Sequence, residues 1–99
     1  MARVVYLGDE ATAAGFRLAG VETRVCDGGE AADALREALQ GDAECVLLSG
    51  ALVEFVPPSL LQPTLQAVEP ALAIVPDIRG RGAPADVARE VRNALGIDA

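Results

Sequence analysis

A chain of 99 residues, 52% of them hydrophobic, is enough for one domain around one core and leaves no room for a site enclosed between two domains. Its net charge of −7, with only Tyr6, Phe16 and Phe55 as aromatics, excludes a basic, base-stacking nucleic-acid surface and disfavours an anionic membrane. All eight basic residues are Arg, and the absence of Lys and His removes Schiff-base and phosphate-loop lysines together with the commonest general base and metal ligand.

The first element is an apolar, β-rich run, Val4-Val5-Tyr6-Leu7, ending at Gly8, which reads as a buried strand. Asp9 follows as an N-cap, with Glu10 in the first helical turn, where a carboxylate favours the helix dipole. Residues 11–19 read as helix and Gly20 as its stop. Residues 21–25 make a more polar strand, with Glu22 and Arg24 alternating, as on an edge with one wet face. Asp27-Gly28-Gly29 is a turn. Residues 30–40 are a helix whose apolar stripe is Ala31, Leu35, Ala38 and Leu39, and Gly41 ends it.

Cys45-Val46-Leu47-Leu48 is the most apolar strand, closed by Ser49-Gly50, and belongs at the centre of the sheet. Pro57-Pro58 then breaks the chain. Ser59 is the expected cap of a short helix from Leu60 to about Val68, with Pro63 near its first turn. Leu72-Ala73-Ile74-Val75 is the fourth strand, stopped by Pro76. A loop over 77–83 leads to a last helix from Pro84 to Leu95, striped by Val87, Val91 and Leu95 and closed by Gly96.

Strands alternating with helices imply a parallel sheet covered on both faces, with right-handed crossovers. The expected fold is α/β, with four parallel strands in the flavodoxin-like, Rossmann-like order 2-1-3-4. Residues 1–99 read as a single domain: a sheet-based lobe over 1–76, the loop over 77–83 and a C-terminal helix over 84–99. The start of the chain has no signal-peptide pattern, and no apolar stretch reaches the length of a membrane span. A cytoplasmic location is expected, with Cys26 and Cys45 as reduced thiols.

Ligands of such sheets bind at the carboxyl ends of the strands, here the crest of Gly8, Asp9, Glu10, Ser49 and Gly50. No glycine-rich phosphate signature follows the first strand, and two carboxylates stand where a phosphate would lie. A phosphoryl-receiver site needs an aspartate where Ser49 stands and a lysine the chain lacks. Ser49, Ser59, Cys26 and Cys45 have no histidine or lysine to activate them as nucleophiles. Asp9 and Glu10 read as a cap and a dipole-favouring glutamate rather than an acid/base pair. An interaction module is therefore the favoured class, with no cofactor and no metal.

The run from Leu7 to Val21, and above all Gly15-Phe16-Arg17-Leu18-Ala19-Gly20-Val21 preceded by Gly8-Asp9, resembles the N-terminal signature of the F subunit of the V-type/A-type rotary ATPases. Val75-Pro76-Asp77-Ile78 and Ala94-Leu95-Gly96-Ile97-Asp98 resemble later segments of that family. In the signature, Gly15 reads as a packing device that lets the helix approach the sheet, with Phe16 filling the space beside it. Arg17 reads either as an outward contact for a partner or as a solvated side chain.

The resemblance implies a non-catalytic rotor component of the central stalk. Its expected partners are the coiled-coil rotor protein of the stalk (the D subunit), then the component joining the stalk to the membrane ring and the A/B catalytic head, with no membrane insertion of its own. The implied docking arm carries Ile78, Arg79, Val87, Arg89, Val91, Arg92, Leu95 and Ile97, with Arg89 and Arg92 bonding acidic groups of a partner helix. The competing class is a signalling α/β module that binds Mg²⁺ or a small molecule at Gly8, Asp9 and Ser49.

Overall fold

The computed structural model describes residues 3–76. The expected loop over 77–83 and helix over 84–99, with Ile78, Arg79, Val87, Arg89, Val91, Arg92, Leu95 and Ile97, lie outside the described residues.

Within them the elements follow in the order β1 (Val4–Gly8), α1 (Glu10–Leu18), β2 (Glu22–Val25), α2 (Ala31–Gln40), β3 (Cys45–Ser49), a 3-10 helix (Gly50–Phe55), α3 (Pro58–Gln66) and β4 (Ala71–Val75). The strands form one sheet in the order β2-β1-β3-β4, parallel throughout. This is the α/β fold and strand order expected from the alternation of patterns.

Side chains alternate across a strand, so the register sorts residues into two layers. On one face Val5, Val46 and Leu72 line up, as do Leu7, Leu48 and Ile74. Ala31, Ala34 and Leu35 of α2, Leu52 and Val53 of the 3-10 helix, and Leu61 of α3 close over these rows to form the main core. On the other face Tyr6 of β1 is fully buried and stacks on Phe16 of α1, with ring centroids 4.7 Å apart. Ala13 and Thr12 of α1 are buried with them.

The outer rows end at Glu22 and Arg24 of β2, level with Val5 and Leu7. These two charges sit at the rim of the core, where a hollow of about 210 Å³ lies between β2 and α2. Arg3 bonds Glu22 at 2.7 Å and also pairs with Asp42, while Arg24 pairs with Glu37 of α2. β2 is thus the edge strand with a wet face that its alternation implied, and its charges blunt a free edge.

Helix ends explain the boundaries. Asp9 caps α1, its carboxylate accepting from the Thr12 N–H at 3.0 Å. At the other end Gly20 takes φ +88, its N–H bonds the Arg17 carbonyl at 3.1 Å, and the Val21 N–H bonds the Phe16 carbonyl at 3.0 Å. That paired motif needs a left-handed residue, which glycine supplies without a Cβ penalty. α2 starts from a reciprocal bond pair: the Asp27 carboxylate accepts from the Glu30 N–H at 3.1 Å, and the Glu30 carboxylate accepts from the Asp27 N–H at 3.2 Å. The Asp27-to-Glu30 spacing is a capping box, so the expected turn is also the helix entry.

Two expectations over residues 51–69 need correction. Ser59 is not a cap: α3 starts at Pro58, with the extended Pro57 before it. Proline disfavours helical geometry in the residue it follows, and at the first helical position it lacks only an N–H that would have had no partner. Pro63 consequently falls inside the helix rather than in its first turn, where it removes a bond to the Ser59 carbonyl. The 3-10 helix has no counterpart in the sequence pattern. It is held by the Ala51 N–H donating to the Ser49 hydroxyl at 3.3 Å and by burial of Leu52 and Val53.

Leu48 is completely buried between β1 and β4, whereas Leu18 at the end of α1 is 93% exposed. Leu48→Ala is expected to lower stability by about 2–5 kcal/mol in a urea titration. Leu18→Ala is expected to change it by less than about 0.5 kcal/mol.

Candidate functional site

Parallel strands all end on one side, and the crest there is formed by the starts of α1, α2 and the 3-10 helix. Gly8 closes β1 against Tyr6 and Ser49. A Cβ on Gly8 would lie 2.9 Å from the Ser49 Cβ and closer still to the Tyr6 hydroxyl, so only glycine fits. The Tyr6 hydroxyl donates to the Asp9 carboxylate at 3.2 Å. Burial of the ring raises the Tyr6 hydroxyl above its ordinary pKa and keeps it a donor.

Asp9 feels opposing influences. Burial pushes its carboxyl up, but hydrogen bonds from Thr12 and Tyr6 outweigh this and hold it below the usual carboxylate range. Glu10 points elsewhere. It binds Arg17 through two bonds of 3.0 and 3.2 Å, and these bonds keep the Glu10 carboxyl low. The two neighbouring carboxylates therefore do not converge, as expected for a cap and a first-turn glutamate.

Ser49 is 2% exposed and spends its hydroxyl on the 3-10 helix. Cys26 is buried beside the crest, and burial raises its thiol pKa, which keeps it protonated and a poor nucleophile. Cys45, on β3, is also a free thiol and is partly buried. Among the described residues no group of three or more His, Cys, Asp or Glu is placed to hold a metal ion. The crest at Gly8, Asp9 and Ser49 thus shows built-in structural work for each polar group the Mg²⁺-binding alternative would need.

The signature residues divide. Phe16 fills the space over the sheet beside Tyr6, as expected. Gly15 does not do what its packing reading required: a Cβ there would meet nothing within 4 Å, and the residue is exposed. The close approach is made instead by buried Ala13 and Thr12, nearer the N-terminus of α1. The Arg17 guanidinium is committed within the chain, to Glu10 and, at 3.0 Å, to the Thr23 hydroxyl of β2. It clamps α1 to the edge strand.

Charge is distributed unevenly. Residues 77–99 hold four arginines and four carboxylates, so the whole net charge of −7 belongs to residues 1–76. The four arginines of that part, Arg3, Arg17, Arg24 and Arg36, each bond a carboxylate. Asp9, Asp27 and Glu30 at the crest have no arginine among these partners.

The Asp9 cap carries a pH signature. Because its folded pKa is depressed, its contribution is present above the unfolded carboxylate pKa and lost as pH falls through the folded value. Asp9→Ala is expected to lower stability by about 1 kcal/mol at neutral pH. The difference from wild type should shrink in acid, measured by urea unfolding between neutral pH and the acidic carboxylate range.

A comparison with curated proteins finds no significant match. The family model described as "ATP synthase (F/14-kDa) subunit" matches residues 4–92, from the first residue of β1 through the segment beyond β4. No helix of the described residues is long and apolar enough to cross a membrane. The match over residues 4–92 shows the family, and the chain belongs to the F-subunit family of the V/A-type ATP synthases.

Proposed function

We propose that the chain is the non-catalytic central-stalk subunit of a V/A-type proton- or sodium-translocating rotary ATPase. It grips the coiled-coil D subunit and helps pass torque between ATP turnover in the A/B head and ion transport at the membrane ring. Its position is cytoplasmic and peripheral, reached through the complex. The family match over residues 4–92 carries this reading. Two further facts support it. The chain has no Lys or His with which to activate a nucleophile or bind a phosphate. The polar groups of the crest are engaged in capping and ion pairing.

The docking arm in this reading is the segment after β4. Ile78, Val87, Val91, Leu95 and Ile97 supply apolar contact, and Arg79, Arg89 and Arg92 bond carboxylates of the coiled coil. A long amphipathic partner suits such a surface, because apolar residues recurring at helical spacing can be matched along a coiled coil.

Mixing the full chain with the coiled-coil rotor protein encoded by the same genome should give a one-to-one complex by size exclusion with light scattering. Absence of a complex at protein concentrations of about tens of micromolar would remove the stalk reading. Val91→Asp with Leu95→Asp, and separately Arg89→Glu with Arg92→Glu, should abolish the complex while far-UV circular dichroism still shows a folded domain. Folded variants that bind as wild type would take this helix out of the interface.

A further inference from the structure

We propose that the hollow beneath Phe55 at the crest is a docking pocket for an arginine side chain of a protein partner. The hollow measures about 260 Å³ and is lined by Asp9, Cys26, Asp27, Ser49, Leu52 and Phe55 among the described residues. Phe55 is 52% exposed, although it lies at the end of a 3-10 helix whose Leu52 and Val53 are buried. The ring rests on the turn before α2, where a Cβ on Gly28 would come within 2.7 Å of it. That glycine lets the ring lie against the backbone, with half of its surface left open.

The lining decides the class of occupant. Three helix starts meet here, a setting that ordinarily attracts anions. In this chain one N–H group at each start already bonds Asp9, Asp27 or Ser49, and an incoming anion would face the two carboxylates. A metal ion finds no group of three or more ligating side chains among the described residues. A planar cation fits both features present. It can stack on the open Phe55 ring and bond the carboxylates at the rim, which is the distinctive capacity of guanidinium. Each carboxylate oxygen accepts two bonds, so Asp27 keeps acceptor capacity beyond its bond from Glu30. The described arginines do not meet this demand, since Arg3, Arg17, Arg24 and Arg36 are bonded to carboxylates other than Asp9 and Asp27.

The pocket adds a contact on the domain itself to the docking arm proposed above. It rests on the stalk reading only for the name of the partner. The test uses the full ¹⁵N-labelled chain titrated with N-acetyl-arginine amide and, as a control, N-acetyl-glutamate. The amide signals of Asp27, Gly28 and Phe55 should shift and saturate with the arginine probe alone. Phe55→Ala should weaken this binding about two- to fivefold. Asp27→Asn, which keeps an acceptor for the helix entry, should also weaken it and reduce its dependence on salt.

Shifts that do not saturate, or that are unchanged in both variants, would overturn the pocket. A wild-type chain that is silent while Arg79→Gln/Arg81→Gln responds would also overturn it, by giving the hollow to the chain's own loop. A chain that takes the arginine probe but forms no complex with the coiled-coil rotor protein keeps the pocket and loses the stalk reading. The opposite pattern keeps the stalk reading and loses the pocket.

Discussion

Val5 and Leu7 of β1 leave water beside Val46 and Leu48 of β3 and beneath α2, and the pairing that sets them side by side is parallel. Much else follows from that pairing. Parallel neighbours cannot be joined by a tight turn, so each connection must cross the sheet as a helix. The crossovers supply the second layer of the core, with Ala31, Ala34 and Leu35 on α2 and Leu61 on α3. The opposite layer begins with Tyr6, which alternation turns away from Val5 and Leu7 towards Phe16 of α1.

The same constraint makes the crest. Parallel strands place their carboxyl ends together, and each crossover helix starts from there. Helix starts leave N–H groups without partners, and in this chain Asp9, Asp27 and Ser49 each take one of them. In other chains of this architecture such donors hold a phosphate; here two of the three starts carry a carboxylate in its place. The result is an acidic crest with an open aromatic ring, poorly suited to anionic ligands.

Ion pairs elsewhere act at edges. Arg3 with Glu22 and Asp42, Arg24 with Glu37, and Arg17 with Glu10 and Thr23 all tie β2 or its neighbours to the body. Exposed pairs of this kind are screened by water and add little stability, so their value lies more in discouraging strand addition at a free edge. The net negative charge lies on residues 1–76, while residues 77–99 are neutral and hold half of the arginines.

Periodicity and end signals are enough to read four strands, their order and the helices between them. Those signals are local: alternation or a 3.6-residue stripe marks an element, and Asp9, Gly20 and Gly41 mark its ends. The absence of Lys and His narrows the chemistry for the same reason, since it needs no coordinates. The 3-10 helix at Gly50–Phe55 is not legible, because its stability comes from Leu52 and Val53 entering a core built by distant segments. The role of Gly15 is easily misread, because a glycine in a helix signals close approach only if its side faces the sheet, and that phase is set by Ala13 and Phe16. Arg17 reads as an outward cation, and only the folded chain brings Glu10 and Thr23 within its reach. The sequence by itself determined the four strands, the three α-helices between them and the chemistry the chain lacks, because these signals lie in residues near one another along the backbone. Tertiary structure alone decided which polar groups are already spent and where an aromatic ring stays open, because both depend on which distant residues come to lie side by side.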